Sequence, residues 1–118
     1  MANHEHFVIS IYLDAVTVDY LYDLVDFFED AHSSVLRKLV HSQYASIVNA
    51  ESGAYSVLSV GLDIPPENYR ISVRMDEYTL ALLINLSEES GLSCSAIIRA
   101  MVYHAFNVFL QQPEESIH

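Results

Sequence analysis

From Tyr69 to Met75 the chain alternates, with Ile71, Val73 and Met75 on one face and Arg70, Ser72 and Arg74 on the other. A period of two with β-branched residues predicts a half-buried strand. Pro65 and Pro66 punctuate a loop just before it. The period then changes. Leu80, Leu83 and Leu86 fall at helical spacing and make an apolar stripe. Asp76 is placed to cap that helix, Glu77 suits its first turn, and Gly91 can supply the left-handed residue that ends it. A last helix follows, capped by Ser93 or Ser95 and burying Ile97, Ile98, Met101, Val102 and Ala105. It is expected to fray by Gln111 to Pro113, leaving Glu114 to His118 in solvent.

The same plan stands earlier in the chain, offset by 62 residues without a gap. Ile9, Ser10 and Asp14 fall on Ile71, Ser72 and Asp76; Thr17, Leu21 and Leu24 on Thr79, Leu83 and Leu86; Ser33, Arg37 and Val40 on Ser95, Arg99 and Val102. That makes nine identities over residues 9–44, mostly at apolar and capping positions. Such placement argues for an internal repeat. In the first copy Val8, Ser10 and Tyr12 share one strand face, and Ile9, Ile11 and Leu13 the other. Asp14 caps its first helix, and Ser33 or Ser34 its second. Glu29 stands where the second copy has Gly91, so a differently shaped turn is expected there.

The chain divides into a first, degenerate unit (1–50), a linker (51–68) and a second unit with a short tail (69–118). Glu51 to Gly53 looks like a break. Ala54 to Ile64 is apolar enough to be packed, as a short strand or a helical turn. A strand and two helices in about 40 residues cannot bury their own core; each unit needs a second strand and a second helix pair. The expected class is therefore α+β and mostly helical, built from tandem strand-helix-helix units.

The segment Tyr69-Arg70-Ile71-Ser72-Val73-Arg74-Met75-Asp76-Glu77, followed by Gly91-Leu92-Ser93-Cys94-Ser95-Ala96-Ile97-Ile98-Arg99, resembles the ribbon-helix-helix family of Arc-like, MetJ-like and CopG-like repressors. The resemblance covers roughly 40 of 118 residues, and about 80 with the first copy. It implies that two strands pair antiparallel into a ribbon that enters the DNA major groove. It also implies that Arg70, Ser72 and Arg74 read base edges, and that the helix start near Ser93 and Ser95 holds a backbone phosphate. The family commonly carries a basic residue where this chain has Cys94, which weakens that contact. The chemistry suits the residues: Arg pairs bidentately with guanine, and Ser bonds to several bases. Strand alternation spaces the three about 6.6 Å apart. The first copy departs, with Val8, Ser10 and Tyr12 outward and both arginines missing. Proteins of the TraY kind are similar in having two units per chain. Pairing within one chain makes a pseudo-dimer with two ribbon arginines; pairing of second units between two chains makes a homodimer with four.

Composition narrows the partners. Sixteen acids against five Lys and Arg give a net charge of −11. That argues against a general nucleic-acid coat or a binder of anionic membranes, since both need excess cations. Hydrophobic residues at 52% exclude disorder as the main state. No apolar run approaches a membrane span, the start lacks the features of a signal peptide, and one cysteine allows no internal disulfide. A cytoplasmic location is expected. Two of the five cations, Arg70 and Arg74, share one strand face, so the acidity limits nonspecific attraction without forbidding DNA.

Other candidates are weaker. His4-Glu5-His6 reads as a polar terminus, and His32, His41 and His104 lack zinc-ligand spacing. Cys94 sits at a helix start, where a thiol pKa tends to fall, but it has no evident nearby base in sequence and reads better as a small capping-region residue. Arg37 and Arg99 read as surface or interface ion pairs. With no phosphate loop, nucleophile elbow or metal motif, neither an enzyme nor a cofactor is expected. Asp19, Asp23, Asp26 and Asp30 recur every three or four residues and read as one helix face, either solubilising or a surface for a protein partner. The expected function is a small DNA-binding regulator or a plasmid or phage accessory factor. The alternative is an acidic protein-interaction module on the same fold: antitoxin-like, an inhibitor of a nucleic-acid-binding machine, or a DNA mimic.

Overall fold

The computed structural model describes residues 6–49 and 69–110. Their order is β1 (His6–Leu13), α1 (Ala15–Phe28), α2 (His32–Asn49), β2 (Tyr69–Asp76), α3 (Glu77–Ser90) and α4 (Cys94–Phe109). The described residues form a mostly helical α+β fold, four helices around one two-stranded antiparallel sheet. The expectations for the linker at 51–68, for His4 and Glu5, and for the tail beyond Leu110 lie outside the described residues.

The pairing register carries the repeat into space. Ser10 lies opposite Ser72, Val8 opposite Arg74 and Tyr12 opposite Arg70. Ser10 and Ser72 are also repeat equivalents. A pseudo-two-fold axis therefore passes between them, and the strands come from one chain.

Alternation decides what the sheet buries. Ile11, Leu13, Val73 and Met75 are fully buried beneath the ribbon. Leu21 and Leu24 of α1 meet them from one half, Leu83 and Leu86 of α3 from the other. Val35, Leu36, Leu39 and Val40 of α2 join Ile97, Ile98, Met101 and Val102 of α4 in the same cluster. Most of the predicted apolar positions thus lie in the observed core, while Leu80, Ile71 and Ile9 pack against it only partly buried. Each large side chain contributes about 1.5–3 kcal/mol on burial. Since one cluster draws on both units, neither half has a core of its own.

The helix ends repeat too. Asp14 accepts from the Thr17 backbone N–H at 3.2 Å, and Asp76 from that of Thr79 at 3.1 Å. The Thr79 hydroxyl also donates to Asp76 at 2.6 Å, and this bond holds the Asp76 carboxyl below its usual range. Gly91 ends α3 in the left-handed region, φ 78°. Glu29 also ends α1 in the left-handed region, φ 54° and ψ 51°, where its side chain takes the strain. The expected difference lies beyond the cap: Asp30 N–H donates to the Val25 carbonyl, whereas Leu92 N–H donates to the Ser90 hydroxyl.

A second correction concerns the start of α2. Ser33 and Ser34 do not cap it; the helix begins at His32, with the first turn closed from Val35 N–H to the Ala31 carbonyl. Ala31 occupies the place of Ser93 and has no side-chain acceptor, so Asp30 supplies one. Its carboxylate accepts from the Ala31 N–H at 3.0 Å and the Ser34 hydroxyl at 2.8 Å. In the second unit the choice falls on Ser93, which accepts from Ala96 N–H at 3.1 Å.

Candidate functional site

The outward face of the ribbon presents Val8, Ser10 and Tyr12 beside Arg74, Ser72 and Arg70, all exposed. The alternation that sends Val73 and Met75 inward sends the arginines outward. Arg70 and Arg74 sit four residues apart on β2, about 13 Å along the strand. They fall on opposite sides of the pseudo-two-fold axis, one beside Tyr12 and one beside Val8.

The ribbon is held in place along both outer edges. Tyr12 N–H donates to the Ser95 hydroxyl at 2.9 Å, and Arg74 N–H to the Ser33 hydroxyl at 3.0 Å. Arg37 donates to the Arg74 carbonyl at 2.6 Å, and Arg99 to the Tyr12 carbonyl at 3.1 Å. Each bond in one half has its repeat equivalent in the other. Arg37 and Arg99, expected at the surface or an interface, each reach a strand carbonyl. Together the four bonds occupy edge groups that would otherwise invite a further strand. They also dock the start of α4 on β1 and of α2 on β2, crossing the two units.

The same geometry sorts the serines. Ser93 serves the α4 cap and Ser95 the β1 edge, so both hydroxyls are engaged within the protein. Both residues lie where α4 meets the ribbon. Cys94 between them is half-buried, and burial pushes its thiol up despite a hydrogen bond with Ser87. A helix start tends to lower a thiol pKa, but here desolvation sets the direction.

Sequence reasoning set His32 aside as a metal ligand and did not place it at the ribbon. Its Nε2 lies 2.9 Å from the Ser72 carbonyl. The signal was its equivalence to Cys94, at the helix start that meets the ribbon. His41 lies 2.7 Å from the Thr79 hydroxyl and helps line an open cleft of about 550 Å³ with Ser34, Arg37, Lys38 and Ser42. Among the described residues, no group of three or more His, Cys, Asp or Glu is arranged to hold a metal ion.

The acidic surface is smaller than predicted. Asp19, Asp23 and Asp26 are exposed on α1. Asp30 is not on that face: α1 ends at Phe28, and Asp30 lies in the turn with Lys38 Nζ 2.7 Å away. Hydrogen bonds from Lys38 and Ser34 lower its pKa. Helical spacing was extended two residues past the real end, because Glu29 gives no stop signal.

Four of the chain's five Lys and Arg therefore lie on the ribbon or reach it: Arg70, Arg74, Arg37 and Arg99. No single helix among the described residues is long and apolar enough to cross a membrane. No family model, no curated protein and no solved structure matches this chain.

Proposed function

We propose that the chain is a tandem ribbon-helix-helix protein, a small non-catalytic regulator whose ribbon reads DNA in the major groove. The observation that carries this reading is that Arg70 and Arg74 share the exposed face of the ribbon, with Arg37 and Arg99 at its edges, in a chain with a net charge of −11. A two-stranded ribbon fits a groove about 12 Å wide. Arg70 and Arg74, about 13 Å apart, span roughly four base steps, and each is suited to one guanine. Ser72 and Ser10 face the base edges between them, with Tyr12 and Val8 as apolar neighbours. The repeat partners of the arginines are Val8 and Tyr12, so the reading face lacks two-fold chemical symmetry. The site it prefers is therefore non-palindromic. The starts of α2 and α4, with Ser93, Ser95 and the Arg37–Lys38 cleft, flank the ribbon where backbone phosphates run.

Selection from a random duplex pool at low salt tests this directly. The expected product is a site with two guanines about four base pairs apart, lost in the Arg70→Ala/Arg74→Ala variant. Failure to enrich any sequence, or equal binding by that variant, sinks the reading.

A further inference from the structure

We propose that the groove between the far ends of α1 and α4 docks a basic amphipathic helix of another protein. Phe106 and Leu110 line this groove with Phe27, Asp23 and Asp26, around about 440 Å³. Phe27, Phe28 and Phe109 form a three-ring cluster beside it, with centroids 5.1 to 5.6 Å apart. Phe27 is 48% exposed and Phe109 45%, a large apolar surface to leave in water.

The other half shows that the fold does not require these rings. The equivalent positions hold Glu89, Ser90 and Ile47, and Ile47 is buried. The aromatic cluster thus stands at only one of the two equivalent helix-pair ends, with Phe27 and Phe28 from the first unit and Phe109 from the second.

Charge selects the occupant. Asp23 and Asp26 rim the groove, with Asp19 one turn further along α1. An acidic partner is repelled there. The chain's own Lys and Arg stand at 37, 38, 70, 74 and 99, so residues 1–5, 50–68 and 111–118 contain none to answer these carboxylates. A second copy carries the same charge of −11 and repels the first. What fits is a foreign helix with an apolar stripe for the phenylalanines and flanking Lys or Arg for the aspartates. Both α1 and α4 begin beside the ribbon and run about 20 Å to the groove, so a helix seated there leaves the ribbon face open.

The test uses the full chain and a labelled Leu/Lys amphipathic peptide of about 18 residues, against a scrambled peptide of the same composition, near physiological salt. Anisotropy should show binding of the helical peptide and weaker binding of the scrambled one. Phe27→Ser/Phe109→Ser should weaken it roughly tenfold or more. Asp23→Asn/Asp26→Asn should weaken it and flatten its salt dependence. Circular dichroism should show both variants folded; the Asp variant, altered only at exposed polar positions, decides the matter if the Phe variant is not. Three results overturn the proposal: no binding, equal binding of both peptides, or unchanged binding by the folded variants. Self-association of the wild type that Phe27→Ser/Phe109→Ser abolishes also overturns it, since the occupant is then a second copy.

Discussion

The two halves of this molecule share most of what faces inward and differ most in what faces out. Inward, the capping aspartates, the buried threonines, the leucine stripes and the serine and arginine contacts to the ribbon edges recur pair by pair. Outward, β2 carries Arg70 and Arg74 where β1 carries Val8 and Tyr12. At the far end, the first half carries the exposed Phe27 and the partly buried Phe28 where the second carries Glu89 and Ser90. Inward positions are bound by volume and hydrogen bonding with the other half, so most of them recur, with Gln43 against Ala105 an exception. Outward positions answer to partners and are free to diverge. On this view the second strand supplies the outward arginines of the ribbon, and a second surface lies where α1 of the first half meets α4 of the second.

The strongest way to break this comparison is in the shared core. Leu36 and Ile98 are equivalent and fully buried. Leu36→Ala and Ile98→Ala should each cost about 2–5 kcal/mol in urea unfolding. Either should speed amide exchange in both halves together; loss of protection confined to the mutated half would show two separate cores.

Restoring outward symmetry should have the next largest effect. Val8→Arg with Tyr12→Arg gives the ribbon four arginines. DNA affinity in gel shifts should rise, by about 1–3 kcal/mol for each new guanine pair, and the selected site should become more palindromic. No gain would mean the first strand does not face DNA.

The caps test inward equivalence more finely. Asp14→Ala and Asp76→Ala should each cost about 1 kcal/mol. Asp76 adds a pH signature. Its folded-state pKa lies below the unfolded value, so its contribution is present at neutral pH and is lost as pH falls from the ordinary carboxylate range through the lower folded value. Asp76→Asn should flatten that acid limb in thermal melts.

The smallest expected effect lies at the turns. Glu29→Gly relieves a left-handed residue and should stabilise by about 1 kcal/mol. Gly91→Ala should destabilise by a similar amount, although a Cβ there meets nothing within 4 Å, because only its φ of 78° is at issue. Equal and opposite shifts in denaturation midpoint would establish that both caps share one backbone shape.

Much of this was legible along the chain. Local periodicity marked both strands, all four helices and the stripes at Leu21, Leu24, Leu83 and Leu86, because a period of two or 3.6 is a property of neighbours in sequence. The outward rows Val8-Ser10-Tyr12 and Arg70-Ser72-Arg74 followed from the same alternation. Contacts across 40 to 80 residues were not legible. Nothing local says that Arg37 ends on the Arg74 carbonyl, that Ser95 holds Tyr12 N–H, or that Cys94 is desolvated beside them. Nor does composition say that Phe27 and Phe109 meet across two helices; their separation in sequence hides a contact made by folding. The chain's own order of residues therefore specified which side chains are buried and which are displayed. Placing them opposite one another required the antiparallel register through Ser10 and Ser72, since only that pairing brings each helix start onto the other unit's strand.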